Sequence, residues 1–241
     1  SNSMLAQDFE PSRLERTKFA IDRLTQQLEQ DRIGLIVFAG DAYMQLPITS
    51  DYVAARSFAA QISPTMVSKQ GTAIGAAIDL AASSFSSGSE GSRVIVVISD
   101  GENHEDDALA AAKAAAEKGI RIYTIGIGTP EGAPISIDGE FIKDEQGDMV
   151  VSKLDEQMLE QIALTTGGAY IRATNRSLGL DEIVQKINEV EKKELTSTVF
   201  EDFNEQYQYL IGLALALLLL EFAMLERRSR LLARFNIFRK R

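Results

Sequence analysis

Residues 93–107 read R-V-I-V-V-I-S-D-G-E-N-H-E-D-D, and within them five apolar β-formers, residues 94–98, run unbroken into Ser99, Asp100 and Gly101. An unbroken apolar run closed by a turn fits a strand buried on both faces, as in a parallel sheet with helices on either side. Such a strand delivers the residue at its C-terminal end to the crevice where open α/β sheets bind ligands. Here that residue is a carboxylate, Asp100, on a glycine turn. An aspartate at this place can equally cap the next helix, so the rest of the chain has to separate the two roles.

The remaining pattern alternates. Ser12-x-x-Glu15 is a capping box, and Leu14, Thr17, Ile21, Leu24 and Leu28 follow as one helical face. Residues 33–39 form a continuous apolar strand that turns at Gly40-Asp41 into a second, 42–48, whose Pro47 marks an edge position. Residues 52–62 and 73–85 read as helices, and 86–92 as a Gly/Ser loop. An alanine-rich helix over 107–118 is stopped by Gly119, after which 120–127 is another strand. A helix, a strand and a helix over 155–165, 169–173 and 180–193 complete the series. This order predicts an α/β fold with a doubly wound, mostly parallel sheet. Residues 129–153 interrupt it with Pro130, Pro134 and two glycine turns, the pattern of a β-hairpin excursion. It reads as decoration or as a partner-binding element.

Charge is unevenly divided. Residues 209–241 carry seven Lys/Arg against two Asp/Glu, so a total of −10 leaves about −15 on the first 208 residues. A body that acidic repels phosphate backbones, which argues against nucleic-acid binding. With no cysteine there is no disulfide, zinc-thiolate site or thiol nucleophile.

Residues 209–225 are apolar apart from Glu221. As a helix they extend roughly 25 Å, the short end of what crosses a bilayer. Tyr207 and Tyr209 stand at one border and Arg227, Arg228, Arg230 and Arg234 at the other. Interfacial aromatics and cytoplasmic basic residues take these places, so the expectation is one transmembrane helix over 209–225 in a bacterial inner membrane. The expected divisions are a domain over 1–194, a linker over 195–208, the span, and a basic cytoplasmic tail over 226–241 suited to anionic lipid. The acidic domain then lies on the periplasmic side.

Three segments supply oxygen donors to one place if the sheet is doubly wound: Ser1-x-Ser3, Gln70-Gly71-Thr72 and Ser99-Asp100-Gly101. Hydroxyls and carboxylates without His or Cys suit a hard cation such as Mg²⁺, with Mn²⁺ or Ca²⁺ as alternatives. Taken singly, Ser-x-Ser and Gly-Thr are loop or cap residues. Their order and spacing resemble the von Willebrand factor A (VWA) domain, whose metal-ion-dependent adhesion site takes Asp-x-Ser-x-Ser, a Thr and a further Asp from three loops. Carried over by position, Ser1 and Ser3 are the serines, Thr72 the threonine and Asp100 the last aspartate. The runs S-N-S-M-L-A-Q-D-F, R-I-G-L-I-V-F-A-G-D-A-Y, Q-G-T-A-I-G-A-A-I-D-L-A and S-D-G-E-N-H-E-D-D-A are similar to the Bat aerotolerance family, especially its B-type members.

That resemblance implies a first metal-site Asp and a central strand ahead of Ser1, together with N-terminal membrane helices, none of them in this sequence. The sheet would then lack its first central strand and leave ladder groups unpaired on two neighbours. Such a chain is expected to be less stable than one carrying the strand, and to bind cation less well. The resemblance also implies a non-catalytic module that binds a partner carboxylate through Mg²⁺. It places the module among other Bat membrane proteins and a MoxR-type AAA+ ATPase, in oxidative-stress tolerance or protein maturation.

The rival is a metal-dependent hydrolase using the same oxygen cluster. It needs a general base, for which the sequence offers Glu102. His104, the one histidine, sits in an acidic loop with Glu102, Glu105, Asp106 and Asp107, and reads as solvated. No G-x-S-x-G elbow exists for a hydrolytic triad, and Gly126-x-Gly128 lacks the third glycine of a dinucleotide site.

Overall fold

The computed structural model of the chain describes residues 1–28, 31–86, 91–103, 105–137, 139–144, 146–189 and 207–226. It divides into two units, Ser1–Glu189 and Val190–Arg241. His104 and the basic tail beyond 226 lie outside the described residues, as does the expected linker over 195–208 except its last two residues, which belong to a helix.

In the first unit, helix α1 (Arg13–Thr25) starts where the capping box predicts, with Ser12 Oγ accepting from the Glu15 N–H at 3.3 Å. Strands β1 (Ile33–Phe38) and β2 (Ala42–Thr49) pair antiparallel. β2 is an edge strand, where Pro47 costs no ladder bond. Helices α2 (Tyr52–Ala60) and α3 (Ile74–Ser84) follow. Strand β3 (Arg93–Ser99), helix α4 (Ala108–Glu117) and strand β4 (Ile120–Gly126) then form a parallel βαβ unit. Gly119 ends α4 at φ +69°, the left-handed turn that a helix stop requires.

The excursion contains four two-residue strands, β5 (Ala133–Pro134), β6 (Ser136–Ile137), β7 (Glu140–Phe141) and β8 (Val151–Ser152). β6 pairs with β7 and β5 with β8, both antiparallel, so one hairpin nests inside another. Helix α5 (Glu156–Thr165) and strand β9 (Tyr170–Arg172) return to the main sheet, β9 pairing parallel to β4. Helix α6 covers residues 180–189.

The parallel sheet is covered on both faces, as the alternation predicts. On one face Ile95, Val97, Ile120 and Ile122 pack with Ile74 and Ile78 of α3, the alanines of α4, and Leu159 and Ile162 of α5. On the other, Tyr123, Ile125 and Ile127 pack with Phe9, Leu180 and Ile183, with Ala20 and Leu24 of α1 against them.

The two sheets do not join. Among the described residues β1 pairs only with β2, and β3 only with β4. A cavity of about 340 Å³ separates the open edges of β1 and β3. Its walls are mainly aliphatic and come from both strands and from Leu14, Ile21 and Leu24 of α1. β3 is thus covered on both faces and open along one edge. Ile95 and Val97 are buried in the first core, Val94, Val96 and Ile98 are partly buried against the second, and no residue of β1 is fully buried. Along the facing edges the ladder groups of β1 and β3 have no strand partner among the described residues.

In the second unit, helix α7 (Tyr207–Glu226) contains the stretch predicted to cross a membrane. Its described apolar side chains are exposed, Leu210 by 69% and Leu219 by 63%. Among the described residues, however, no helix is long and apolar enough to cross a membrane. The predicted span is therefore helical and apolar, and its crossing is not established by the fold.

Candidate functional site

Residues of all three sequence-predicted segments, Ser1, Ser3, Thr72, Ser99 and Asp100, line the cavity. Ser1 and Ser3 sit around a 3₁₀ turn (Asn2–Leu5) and their hydroxyls are 3.1 Å apart. The Asn2 N–H donates to Gln70 Oε1 at 3.1 Å, which fastens this loop to the second. Gln70 is held by the carbonyls of Pro64 and Val67, and the Ala73 N–H donates to the Ala39 carbonyl at 2.7 Å. Thr72 is thereby fixed between β1 and α3, and is buried.

Capping does not account for these residues. The first N–H groups of α3 are met by Asn103 Oδ1 and by both oxygens of Asp106, at 3.0 Å from Gly75 and 2.7 Å from Ala76. Thr72 therefore has no cap to provide. Likewise α4 is capped by Asp107, whose Oδ1 accepts from the Ala110 N–H at 3.0 Å, which frees Asp100. The acidic loop read as solvated is in large part structural, with Glu105 also paired to Lys69. Glu102, the one candidate base, accepts from the Lys153 N–H at 2.9 Å.

Asp100 is 2% exposed. Its carbonyl accepts from the Asp155 N–H at 2.8 Å, and the turn after it brings Gly101 against α5. A Cβ on Gly101, at φ +80°, would meet the Asp155 carbonyl oxygen at 2.3 Å, so only glycine fits. The Asp100 carboxylate is used asymmetrically. Oδ2 accepts from Ser152 Oγ at 3.1 Å and from Arg13 Nη1 at 3.4 Å. Oδ1 has Ser99 Oγ at 3.4 Å.

Sequence reasoning missed Arg13, Asp8 and Ser152. The Arg13 guanidinium is fully buried. Asp8 grips it through two hydrogen bonds of 2.7 Å, Nε to Oδ1 and Nη2 to Oδ2. Nη1 also donates to Ser152 Oγ at 2.8 Å and to the Ser3 carbonyl at 3.5 Å, while Nη2 donates to the Ser152 carbonyl at 3.2 Å. One side chain thus joins the serine loop, the Asp100 turn and the excursion. Gly128, at φ +141°, lets the guanidinium lie close, since a Cβ there would stand 3.0 Å from Arg13 Cζ. Burial raises the Asp8 pKa, but the Arg13 hydrogen bond and charge, with the Thr129 N–H, outweigh it and hold the carboxyl below its ordinary value.

The excursion is therefore a wall of the site, since Ser152 touches both Asp100 and Arg13. Three hydroxyls and one carboxylate, without nitrogen or sulfur, are the donors a small hard cation takes. Among the described residues no group of three or more His, Cys, Asp or Glu is placed to hold a metal. Any cation here is held mainly by hydroxyls.

A model of the von Willebrand factor type A domain matches residues 1–186. The chain is similar to an aerotolerance-related membrane protein from Bacteroides fragilis, whose crystal structure carries multiple mutations to serine. That likeness is 52% identity over 78% of this chain and 94% of that one, with a TM-score of 0.75. The structure of the conserved hypothetical protein BatB from Bacteroides thetaiotaomicron is 49% identical over 78% of this chain and 95% of that one, with a TM-score of 0.74. An uncharacterized protein of Borreliella burgdorferi is 30% identical over 92% of this chain, which spans 65% of that relative's length.

Proposed function

We propose that this chain, which belongs to the von Willebrand factor type A domain family, is a membrane-associated, non-catalytic module that binds a protein partner through a divalent cation. Ser1, Ser3, Thr72 and Asp100 would hold the ion, Mg²⁺ by preference. When bound, it supplies a Lewis-acidic position to which a carboxylate of the partner attaches. The observation that supports this reading is that Ser1, Ser3, Thr72 and Asp100 all line one cavity while other residues cap α3 and α4. Within the site this chain's own residues bind and orient. Arg13 and Ser152 hold Asp100, and Gln70 holds the serine loop. A hydrolytic reading needs a base free to take a proton, and Glu102 is already engaged by the Lys153 N–H.

Membrane association is supported by the exposed apolar side chains of α7 and by the likeness to a named membrane protein. In this reading 209–225 enters a bacterial inner membrane, with the domain periplasmic and the Arg-rich tail cytoplasmic. The partners proposed are other Bat membrane proteins and a MoxR-type AAA+ ATPase. Calorimetry with Mg²⁺ tests the site: Asp100→Ala and Thr72→Ala should each weaken binding at least tenfold. Unchanged affinity in both variants rejects the assignment. Flotation with anionic liposomes tests association, which should vanish when residues 207–241 are removed.

A further inference from the structure

We propose that Arg13 and Ser152 determine which cation the site accepts, by closing one oxygen of Asp100. The proposal rests on the cation-bridging reading of the same site and adds a selection rule to it. Asp100 is the one carboxylate among the four proposed ligands. Its Oδ2 accepts two hydrogen bonds, from Ser152 Oγ at 3.1 Å and Arg13 Nη1 at 3.4 Å. Ser152 Oγ itself accepts from Arg13 at 2.8 Å, so its proton is directed to Asp100. The arrangement cannot swing away easily, because Asp8 clamps the guanidinium on its other edge and Arg13 is fully buried. Oδ1 accepts one hydrogen bond, from the neutral Ser99 hydroxyl at 3.4 Å, and is the less engaged oxygen, the one a cation would take.

A carboxylate restricted to one oxygen discriminates by geometry. Ca²⁺ takes six to eight oxygens and commonly chelates a carboxylate through both. Mg²⁺ and Mn²⁺ are smaller, accept octahedral sites, and are served by single-oxygen carboxylates with hydroxyls and water. No second carboxylate cluster compensates for the closed oxygen among the described residues. Arg13 and Ser152 are positioning residues here, acting on the ion through Asp100.

The test is calorimetric titration of the full chain in detergent with Mn²⁺ and, separately, Ca²⁺, alongside far-UV circular dichroism to confirm folding. Three proteins are compared: wild type, Ser152→Ala, and the pair Asp8→Asn with Arg13→Gln. Changing Asp8 and Arg13 together removes that ion pair as a unit and leaves Asp100 with the Ser152 and Ser99 hydroxyls. Wild type should prefer Mn²⁺ by at least tenfold. Ser152→Ala should lower that preference several-fold and the double variant at least tenfold, with Ca²⁺ affinity rising in both. A merely structural role would weaken the two cations in parallel, so parallel losses, or a preference unchanged within twofold, overturn the proposal and leave the cation site standing. Absence of binding by either cation to folded wild type rejects the site itself.

Discussion

Removing the carboxylate of Asp8 should destabilise this domain more than almost any other single change at a partly polar position. Asp8 is 7% exposed and Arg13 not at all, and two hydrogen bonds of 2.7 Å join them. Taking away one partner of a buried pair costs about 3–5 kcal/mol, because the other charge stays buried without compensation. Arg13 would keep Ser152 and the longer contact to Asp100, so the lower end, about 3 kcal/mol, is expected for Asp8→Ala. For a domain of this size that corresponds to roughly 6–12 °C in Tm. Thermal and urea unfolding followed by circular dichroism measure it.

The pH dependence provides a second check on the same pair. The Asp8 carboxyl lies below its ordinary value of 3.8 in the folded chain. Its unfolded form therefore binds a proton more readily, and the stabilisation is complete above 3.8 and lost as pH falls through the folded pKa. The stability gap between wild type and Asp8→Ala should be flat above about pH 5 and narrow below about pH 4. A loss in Tm under about 2 °C, or a gap that stays constant into acid, would refute the claim that this pair is a buried, charged strut.

Asp106→Ala should cost about 1–2 kcal/mol in urea unfolding, since it leaves the Gly75 and Ala76 N–H groups at the start of α3 without an acceptor. A change within error would mean that water replaces the cap at no cost. Gly101→Ala should cost at least about 2 kcal/mol, from the left-handed backbone at φ +80° together with the 2.3 Å approach to the Asp155 carbonyl oxygen. Near-wild-type stability would place the turn elsewhere. The cavity between β1 and β3 should take up an apolar dye such as anilinonaphthalene sulfonate, with fluorescence reduced in Val96→Glu. Equal fluorescence in both proteins would locate the dye on another surface.

Backbone organisation was legible because it is written in local patterns. Residues 120–127 were read as a strand from their apolar run and the glycine before them, and β4 occupies Ile120–Gly126. The helix expected over 155–165 is α5, started by Asp155 accepting from the Met158 N–H at 3.1 Å. Ser1, Ser3, Thr72 and Asp100 could be grouped because oxygen donors recur at loop positions that a parallel sheet gathers at one end. Arg13 could not be found that way. It stands beside a capping serine in the run R-L-E-R-T-K, where an arginine looks like one more solvated charge on an amphipathic helix. Only the approach of Asp8, Asp100 and Ser152, the last 139 positions away, shows it to be interior. The acidic loop was legible in part. As a solvated helix start it holds for exposed Asp107, which caps α4, but Asp106 is spent on the start of the distant α3.

These two misreadings share a cause that bears on function. Polar groups in this domain are assigned by long-range packing at the seam between the β1–β2 pair and the parallel sheet. The seam is also where the candidate ligands lie: Thr72 follows a loop bonded to the end of β1, and Asp100 ends β3. Nothing in the backbone ladder ties those two edges together among the described residues. What holds them is packing, with Phe38 of β1 against the core that α3 shares with Ile95 and Val97, together with the side-chain bonds of Arg13 and Gln70. A ligand that bridges Thr72 and Asp100 therefore binds across the seam and stabilises the closed arrangement by mass action. Conversely, any change in the spacing of β1 and β3 alters the donor set directly. In the proposed reading, affinity at the site and cohesion of the two half-sheets should consequently rise and fall together.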